Sequence, residues 1–587
     1  MLRKKRFITT ITVLLCVAAV GWAQNLEDDW REFLHYSAIG RFEIAQGYAQ
    51  KIIDSEPDPL ELLGLTEENP AGFELLVRLN ASGQLEGVTN QILEIIERGR
   101  YARRTDSKII VEEVKRLSST VRGKYTAIAR LKNAGEYAIP YMIDAMADES
   151  REDEFVNITS ALDKIGRHSL RPLIVALQMD DLVIKAEIIK ALGEIGYTQS
   201  LGDLKYIAEN DPSAELRQLA VGAIAKIDQT AAQISAAELF FKLGEQYYYH
   251  AESLQPPADY DYANVWFWDK EQRRLKREEA SKEYFGELMV MRACEWALRA
   301  DPNIEKAIAL WLTAFFSAEA KGLVQPKYFG EGHADAMTYA TTSGAKYLHQ
   351  ALARAIRDGD AKVALDIVEA LAKNAGEKSL MFRLQTTQPL VSALNFDSKS
   401  VRYSAAIAIG LAGPVESFIE TPLVIQNLAE AITEPASEDW PQELADEYAL
   451  RSAAAMLKLA TSRNKVIDLS AATEQLGQAT KDSRESIQIF AGQILAHLSS
   501  PDAQRAIAAM AMDEKNNIQI RILAFESLAT SFKLNGLMLL EEQVDTIYAL
   551  VGSTNGDAQL RSSAAAAFGA MDLPGRKVKD LILDQAK

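Results

Sequence analysis

Cysteine is nearly missing from this chain, with only Cys16 and Cys294 in 587 residues. Cys16 falls in an N-terminal segment expected to be removed, which leaves one thiol and no intramolecular disulfide. Histidine is almost as scarce. The six residues His35, His168, His250, His333, His349 and His497 are scattered, with no HExxH pair and no paired cysteine ligands. Glu331, His333 and Asp335 share one short glycine-containing loop, but three such residues cluster readily by chance, and no metal or other cofactor is assigned. Neither GxSxG nor a phosphate-binding loop nor a dinucleotide fingerprint occurs. The 82 acidic residues guarantee accidental carboxylate pairs, so none is singled out. No catalytic residue can be named, and the chain reads as non-enzymatic.

Long hydrophobic runs are absent after the first residues. Those residues have the layout of a secretory leader: a basic head, Met1 to Arg6, an uncharged stretch from Phe7 to Val20, and the small residues Gly21 and Ala23. As a helix the uncharged stretch reaches about 21 Å, short of the ~30 Å hydrocarbon core, so cleavage after Ala23 is expected rather than retention as an anchor. Leu14 and Leu15 precede Cys16, where a lipidation site needs a small residue. The expected location is periplasmic or secreted, with no integral membrane span after cleavage. A leader with four positive charges and no acid takes the net charge from −18 to −22 on removal. Such acidity disfavours nucleic acid and anionic membranes as partners. An exported chain without disulfides suits a bacterial periplasm.

What the chain has in quantity is helical periodicity. One helix-ending pattern recurs, a small residue and Leu or Ile followed four residues later by Gly or Asp. It gives Leu131 with Gly135, Leu162 with Gly166, Leu192 with Gly196, and Ile224 with Asp228. The spacing of about thirty residues means stacked helical hairpins, each too small to bury its own apolar face. Pro140 and Pro172 fall near the start of the second helix of their hairpins, where a missing N–H costs little. A second signature is an apolar residue, Arg, two residues, then Ala. It occurs at Arg217 with Ala220, Arg402 with Ala405, Arg451 with Ala454, Arg521 with Ala524, and Arg561 with Ala564. The small Ala permits close helix packing, and each Arg is placed to bond turn carbonyls and a neighbouring acid. Both signatures resemble HEAT repeats, particularly the short bacterial type also found in phycobilin lyases. The resemblance implies an all-α solenoid and a ladder of Arg and Asp joining successive repeats. Those lyases act on pigments in the cytoplasm, which the leader contradicts.

Five segments follow. After the leader (1–23) comes a helical region (24–106) in which Tyr36, Gly40, Phe42, Ala45 and Pro57 resemble one tetratricopeptide unit. The first HEAT-like block spans 107–230, and a second, irregular one spans 358–587. Between them, 231–357 opens like the first helix of a tetratricopeptide unit at Phe240, Leu243, Gly244 and Tyr247. The matching second helix comes only at Met291 to Ala297. The expanded turn, 248–285, holds Tyr260, Tyr262, Trp266 and Trp268, then a charged run from Asp269 to Glu283 expected to be a solvated helix. Long loops in compact arrays are often functional. The four aromatics are therefore either a binding surface for a protein or a sugar, or a plug, with the tryptophans folded back to seal the join between the two blocks. Cys294 reads as a buried, inert thiol. The reading is an exported scaffold that binds protein partners of unknown identity, with glycan binding through the aromatics, or a lyase-type enzyme, as the alternatives.

Overall fold

The computed structural model describes residues 26–256, 260–373, 376–553 and 556–585. The expected leader lies outside the described residues, as do Pro257 and Asp259 of the insertion. Among these residues the architecture is an α-solenoid of stacked helical hairpins with one departure, an antiparallel pair of strands, β1 (Tyr262–Asp269) and β2 (Arg274–Ser281). Two compact units are present. The first takes the chain to Leu239 together with Asn264–Glu278, and the second takes Phe240–Ala263 and everything from Glu279 onward.

In the first unit the repeat markers end their helices as the spacing predicts. Helices Val121–Ala134, Phe155–Ile165 and Leu182–Ile195 are each followed by a glycine at positive φ, Gly135, Gly166 and Gly196. A left-handed residue there turns the chain and satisfies a terminal carbonyl. The amide of Gly135 donates to the Leu131 carbonyl and that of Gly196 to Leu192. Asp228 donates to Ile224 with φ −157°, so this position needs no glycine. The markers Leu131, Leu162, Leu192 and Ile224 are all buried in one core. Helix starts are equally explicit, since Thr120, Asp181 and Ser213 each accept a backbone N–H of the first turn through the side chain.

Two rows of helices result. Val121–Ala134, Phe155–Ile165, Leu182–Ile195 and Ala214–Ile227 pack side by side in sequence order, and Ala138–Ala147 and Leu170–Ala176 belong to the second row. Pro140 and Pro172 are each the third residue of their helices, as expected. Upstream, a hairpin of helices 26–38 and Phe42–Asp54 turns at Gly40 and buries Ala45, with Tyr36 stacked on Tyr48 at 5.7 Å.

The second unit repeats the plan with longer connections. Helices Ala361–Lys373, Lys399–Ala412, Gln442–Ser462, Glu485–Leu495, Ile518–Asn535 and Ala558–Gly569 form one row. In that row a buried residue recurs every four positions over three turns: Val401, Ala405 and Ile409, then Ile487, Ala491 and Leu495, then Ile520, Ala524 and Leu528. The irregular connection before Gln442 is explained by Trp440, which is buried against Tyr403 and Tyr448 at 5.8 and 5.3 Å. Helix Lys282–Ala300 pairs with the helix ending at Tyr248, with Phe240 stacked on Trp296 at 5.9 Å. Gly244 lies so close to Ala293 and Cys294 that an added Cβ would sit 3.6 Å from each.

His349 gives this unit a pH response. Its Nε2–H donates to the Ser379 carbonyl at 2.8 Å, while Nδ1 is buried without a partner. Charging the ring would bury an N–H with no acceptor, and burial holds its pKa below the usual imidazole value despite the Ser379 bond. The unfolded chain therefore takes up this proton first as pH falls. Stability from neutral His349 is intact above about pH 6.5 and is lost as pH falls from there toward the folded value. A His349→Gln variant, neutral throughout, is expected to lose less of its thermal midpoint than the parent between about pH 7 and about pH 5. Parallel losses in both proteins would contradict this assignment.

Candidate interaction surface

The charged run forms the second strand of a hairpin where a solvated helix was expected. The turn explains the difference. Asp269 accepts the backbone N–H groups of Glu271 and Gln272 through its side chain, Arg273 adopts φ +51°, and Lys276 returns to Asp269. This reverses the chain before a helix can start, and Leu275 then enters the core of the first unit while Glu279 stays exposed.

The four predicted aromatics divide between the units. Tyr260 and Tyr262 belong to the second, partly buried, with ring centroids 5.4 Å apart. Trp266 and Trp268 belong to the first and use the same face of β1, as their spacing of two implies. Trp266 is 3% exposed inside the core, and Trp268 packs at its edge. A polar network fixes the hairpin to the turn Gly135–Tyr137. Glu136 accepts from the Trp266 indole N–H at 2.8 Å and from the Asn264 amide at 2.7 Å. That amide also reaches the Tyr137 hydroxyl at 2.8 Å, and Arg277 donates to the Asn264 carbonyl oxygen at 2.8 Å. The guanidinium carbons of Arg104 and Arg277 lie 5.1 and 4.9 Å from the Tyr137 ring centre. Burial pushes the Tyr137 hydroxyl up to about 12, so it stays a neutral hydrogen-bonding group. Trp266 is thus a core residue of the first unit and offers no surface to a sugar or a peptide.

Four of the five predicted arginines bond turn carbonyls, one half of what the signature implies. Arg217 donates to the carbonyls of Asp211 and Pro212, and Arg402 to those of Phe396 and Asp397. Arg521 reaches Ala511 and Arg561 reaches Ser553. Arg451 is the exception. Leu450 and Ala454 beside it are exposed, and the buried series in that helix runs through Tyr448, Ser452 and Met456 instead. The apolar register of the motif fails there, yet Arg451 pairs with the upstream acid Glu447 at 3.1 Å and grips both oxygens of Glu369 at 2.7 and 2.9 Å. Two ladder members carry other letters. Gln488 donates to the Asp482 carbonyl from a position equivalent to Arg217, and Lys185 pairs with Asp211 at 3.4 Å. Their signal was available in the flanking pattern, because Ile487 with Ala491 and Ile184 with Ile188 keep the spacing.

Elsewhere the predicted chemistry resolves into packing. Cys294 is fully buried, and burial pushes its thiol pKa up, which disfavours the thiolate. His333 stacks on Phe329 at 4.2 Å, and Asp335 caps helix Ala336–Ser343 through the Thr338 N–H. Among the described residues no group of three His, Cys, Asp or Glu could hold a metal, and no helix is long and apolar enough to cross a membrane.

A surface the periodicity did not flag lies on the first row of helices in the first unit. Val121, Tyr125, Val156 and Val183 are 76, 73, 74 and 63% exposed, and Leu182 and Val221 are exposed beside them. Counted from the buried series, these positions fall on one side of successive helices, opposite the buried face. Single exposed apolar residues need no explanation, whereas a series on four adjacent helices does. Between them lie small or hydroxyl residues, Thr126, Ala129, Thr159, Ala186 and Gly222. An amphipathic reading assigns exactly one apolar stripe per helix, so this second one was masked by the stronger first.

No family model matches the chain, and no curated protein matches it in sequence. Among known structures the chain is similar to UNC-45 from Drosophila melanogaster at 14% identity, over 98% of this chain and 84% of that one, with a TM-score of 0.33. Importin beta in a polyethylene glycol condition matches at 12% identity over 93% and 71%, with a TM-score of 0.29. A homology model of the full-length AP-3 complex matches at 11% identity over 83% and 80%, also at 0.29. Scores this low carry no argument, and the fold rests on the helices described above.

Truncation separates the core from the surface. Trp266→Ala is expected to destabilise the first unit by about 3–5 kcal/mol, as removal of a core tryptophan does. Tyr125→Ala should change stability by no more than about 0.5 kcal/mol. Thermal unfolding of both variants checks this, and an unchanged midpoint for Trp266→Ala would remove it from the core.

Proposed function

We propose that the chain is an exported, non-catalytic scaffold that holds protein partners in the cell envelope, and that the first row of helices in the first unit is where it holds them. The observation that carries this reading is the exposed apolar series Val121, Tyr125, Val156, Val183 and Val221 on adjacent helices. Stacked helices place such residues at regular intervals on a stiff frame, which suits recognition of an elongated partner. Fold alone does not establish a function, so the weight rests on that surface.

Export and a periplasmic or secreted location rest on the leader pattern at Met1 to Ala23 and on the lack of a possible disulfide once Cys16 is removed. The hairpins around Gly40 and Gly244 support tetratricopeptide-like units set among HEAT-like ones, and a bacterial source accords with the same features. Glycan binding through the insertion is the weaker alternative, because Trp266 is committed to the core.

The test is a photo-crosslinking amino acid placed at Tyr125, with Ser150, in an exposed turn, as the control. Irradiated cells making the protein are expected to yield discrete protein adducts from position 125 that disappear when Val156 is changed to Asp. Equal labelling from both positions, or none from 125, would contradict the reading.

A further inference from the structure

The charge around the apolar series is uneven, and the unevenness describes the partner. Helix Val121–Ala134 carries Arg122, Lys124, Arg130 and Lys132 and no acid, within a chain of net charge −18. Arg130 pairs with Glu113 at 2.6 Å and Lys124 bonds Asn157 at 3.0 Å. Arg122 and Lys132, both exposed, have no ion-pair partner among the described residues. The next helices neutralise themselves. Lys164 lies 3.7 Å from Asp163, Lys190 pairs with Glu187 at 2.7 Å, and Lys226 pairs with Glu194. Acids in the turn Glu149–Glu154 lie just before Val156 and would repel a negative group there. A groove lined by Lys115, Arg116, Ser119, Arg122 and Thr126 opens on the basic helix, and within it Lys115 and Arg116 are already paired with Glu112 and Glu113.

We infer that this surface docks an amphipathic helical segment of a partner protein, its apolar face on Val121, Tyr125, Val156, Val183 and Val221 and its acidic end at Arg122 and Lys132. The inference rests on the scaffold reading and adds the chemistry and polarity of the ligand. Length follows from packing. Four helices spaced ~9 Å apart cover about 27 Å, the span of a helix of about eighteen residues. Apolar contact supplies the affinity, and the two unpaired cations set direction and salt sensitivity.

The experiment titrates the full chain with two labelled synthetic amphipathic peptides of about eighteen residues. They share one Leu/Val face and differ in carrying Glu or Lys at one end, and binding is read by fluorescence anisotropy. The Glu-ended peptide should bind about tenfold more tightly at low salt, with the advantage shrinking as salt rises. Arg122→Glu with Lys132→Glu should abolish or reverse the preference, and Val156→Asp should weaken both peptides. Equal binding of the two peptides, or a preference that survives the double charge reversal, overturns the inference. So does a dimer of this chain that Val156→Asp dissociates in sedimentation, because a second copy would then be the occupant. If neither peptide binds while position 125 still cross-links to a protein, the inference falls and the scaffold reading stands.

Discussion

Everything in this protein depends on one contact repeated many times, a buried residue every fourth position over three turns of one helix, set against the same series on the next. The full series ends at Leu192 and Ile224 in the first unit, where Leu131 and Leu162 close shorter ones, and at Ile409, Leu495 and Leu528 in the second. Each such side chain contributes about 1.5–3 kcal/mol when removed from water, so a row of them holds helices too short to stand alone. No hairpin can complete this burial by itself. Stability is therefore shared between neighbours, and a defect in one repeat is felt in the next.

The polar features follow from the same packing. Bringing helices close at Ala220, Ala405, Ala524 and Ala564 leaves turn carbonyls near the next helix, where Arg217, Arg402, Arg521 and Arg561 satisfy them. The strand hairpin is a local version of this economy. It supplies Trp266 and Leu275 to the core while Asn264 and Glu136 satisfy each other and the indole N–H. The hairpin fastens to the turn Gly135–Tyr137, and the apolar series on the first row of helices is open to solvent.

Much of the fold was legible because it depends on local rules. Glycine four residues after a buried leucine marks a left-handed helix end, and that rule located three helix ends in the first block. Bonding to turn carbonyls was legible at four of the five proposed arginines, whereas close pairing with acids is seen at Arg451. At Arg451 the apolar register differs, because it is set by burial of Tyr448, Ser452 and Met456, which letters alone do not reveal. The strand hairpin was misread because its second strand is mostly charged. Its conformation comes from the turn at Asp269 and from pairing with β1, neither of which has helical or alternating periodicity. The candidate surface was the least legible feature, since exposed valines at Val121 and Val156 look like core residues until the helix orientation is known.

The central claim is that Trp266 is structural and that the apolar series on the first row of helices is the open surface. Hydroxyl-radical footprinting of the intact chain, read residue by residue, tests both halves at once. Tyr125 should be modified rapidly and Trp266 protected to the level of buried Phe240. Modification of Trp266 at the rate of Tyr125, or protection of Tyr125 in the isolated chain, would contradict the account.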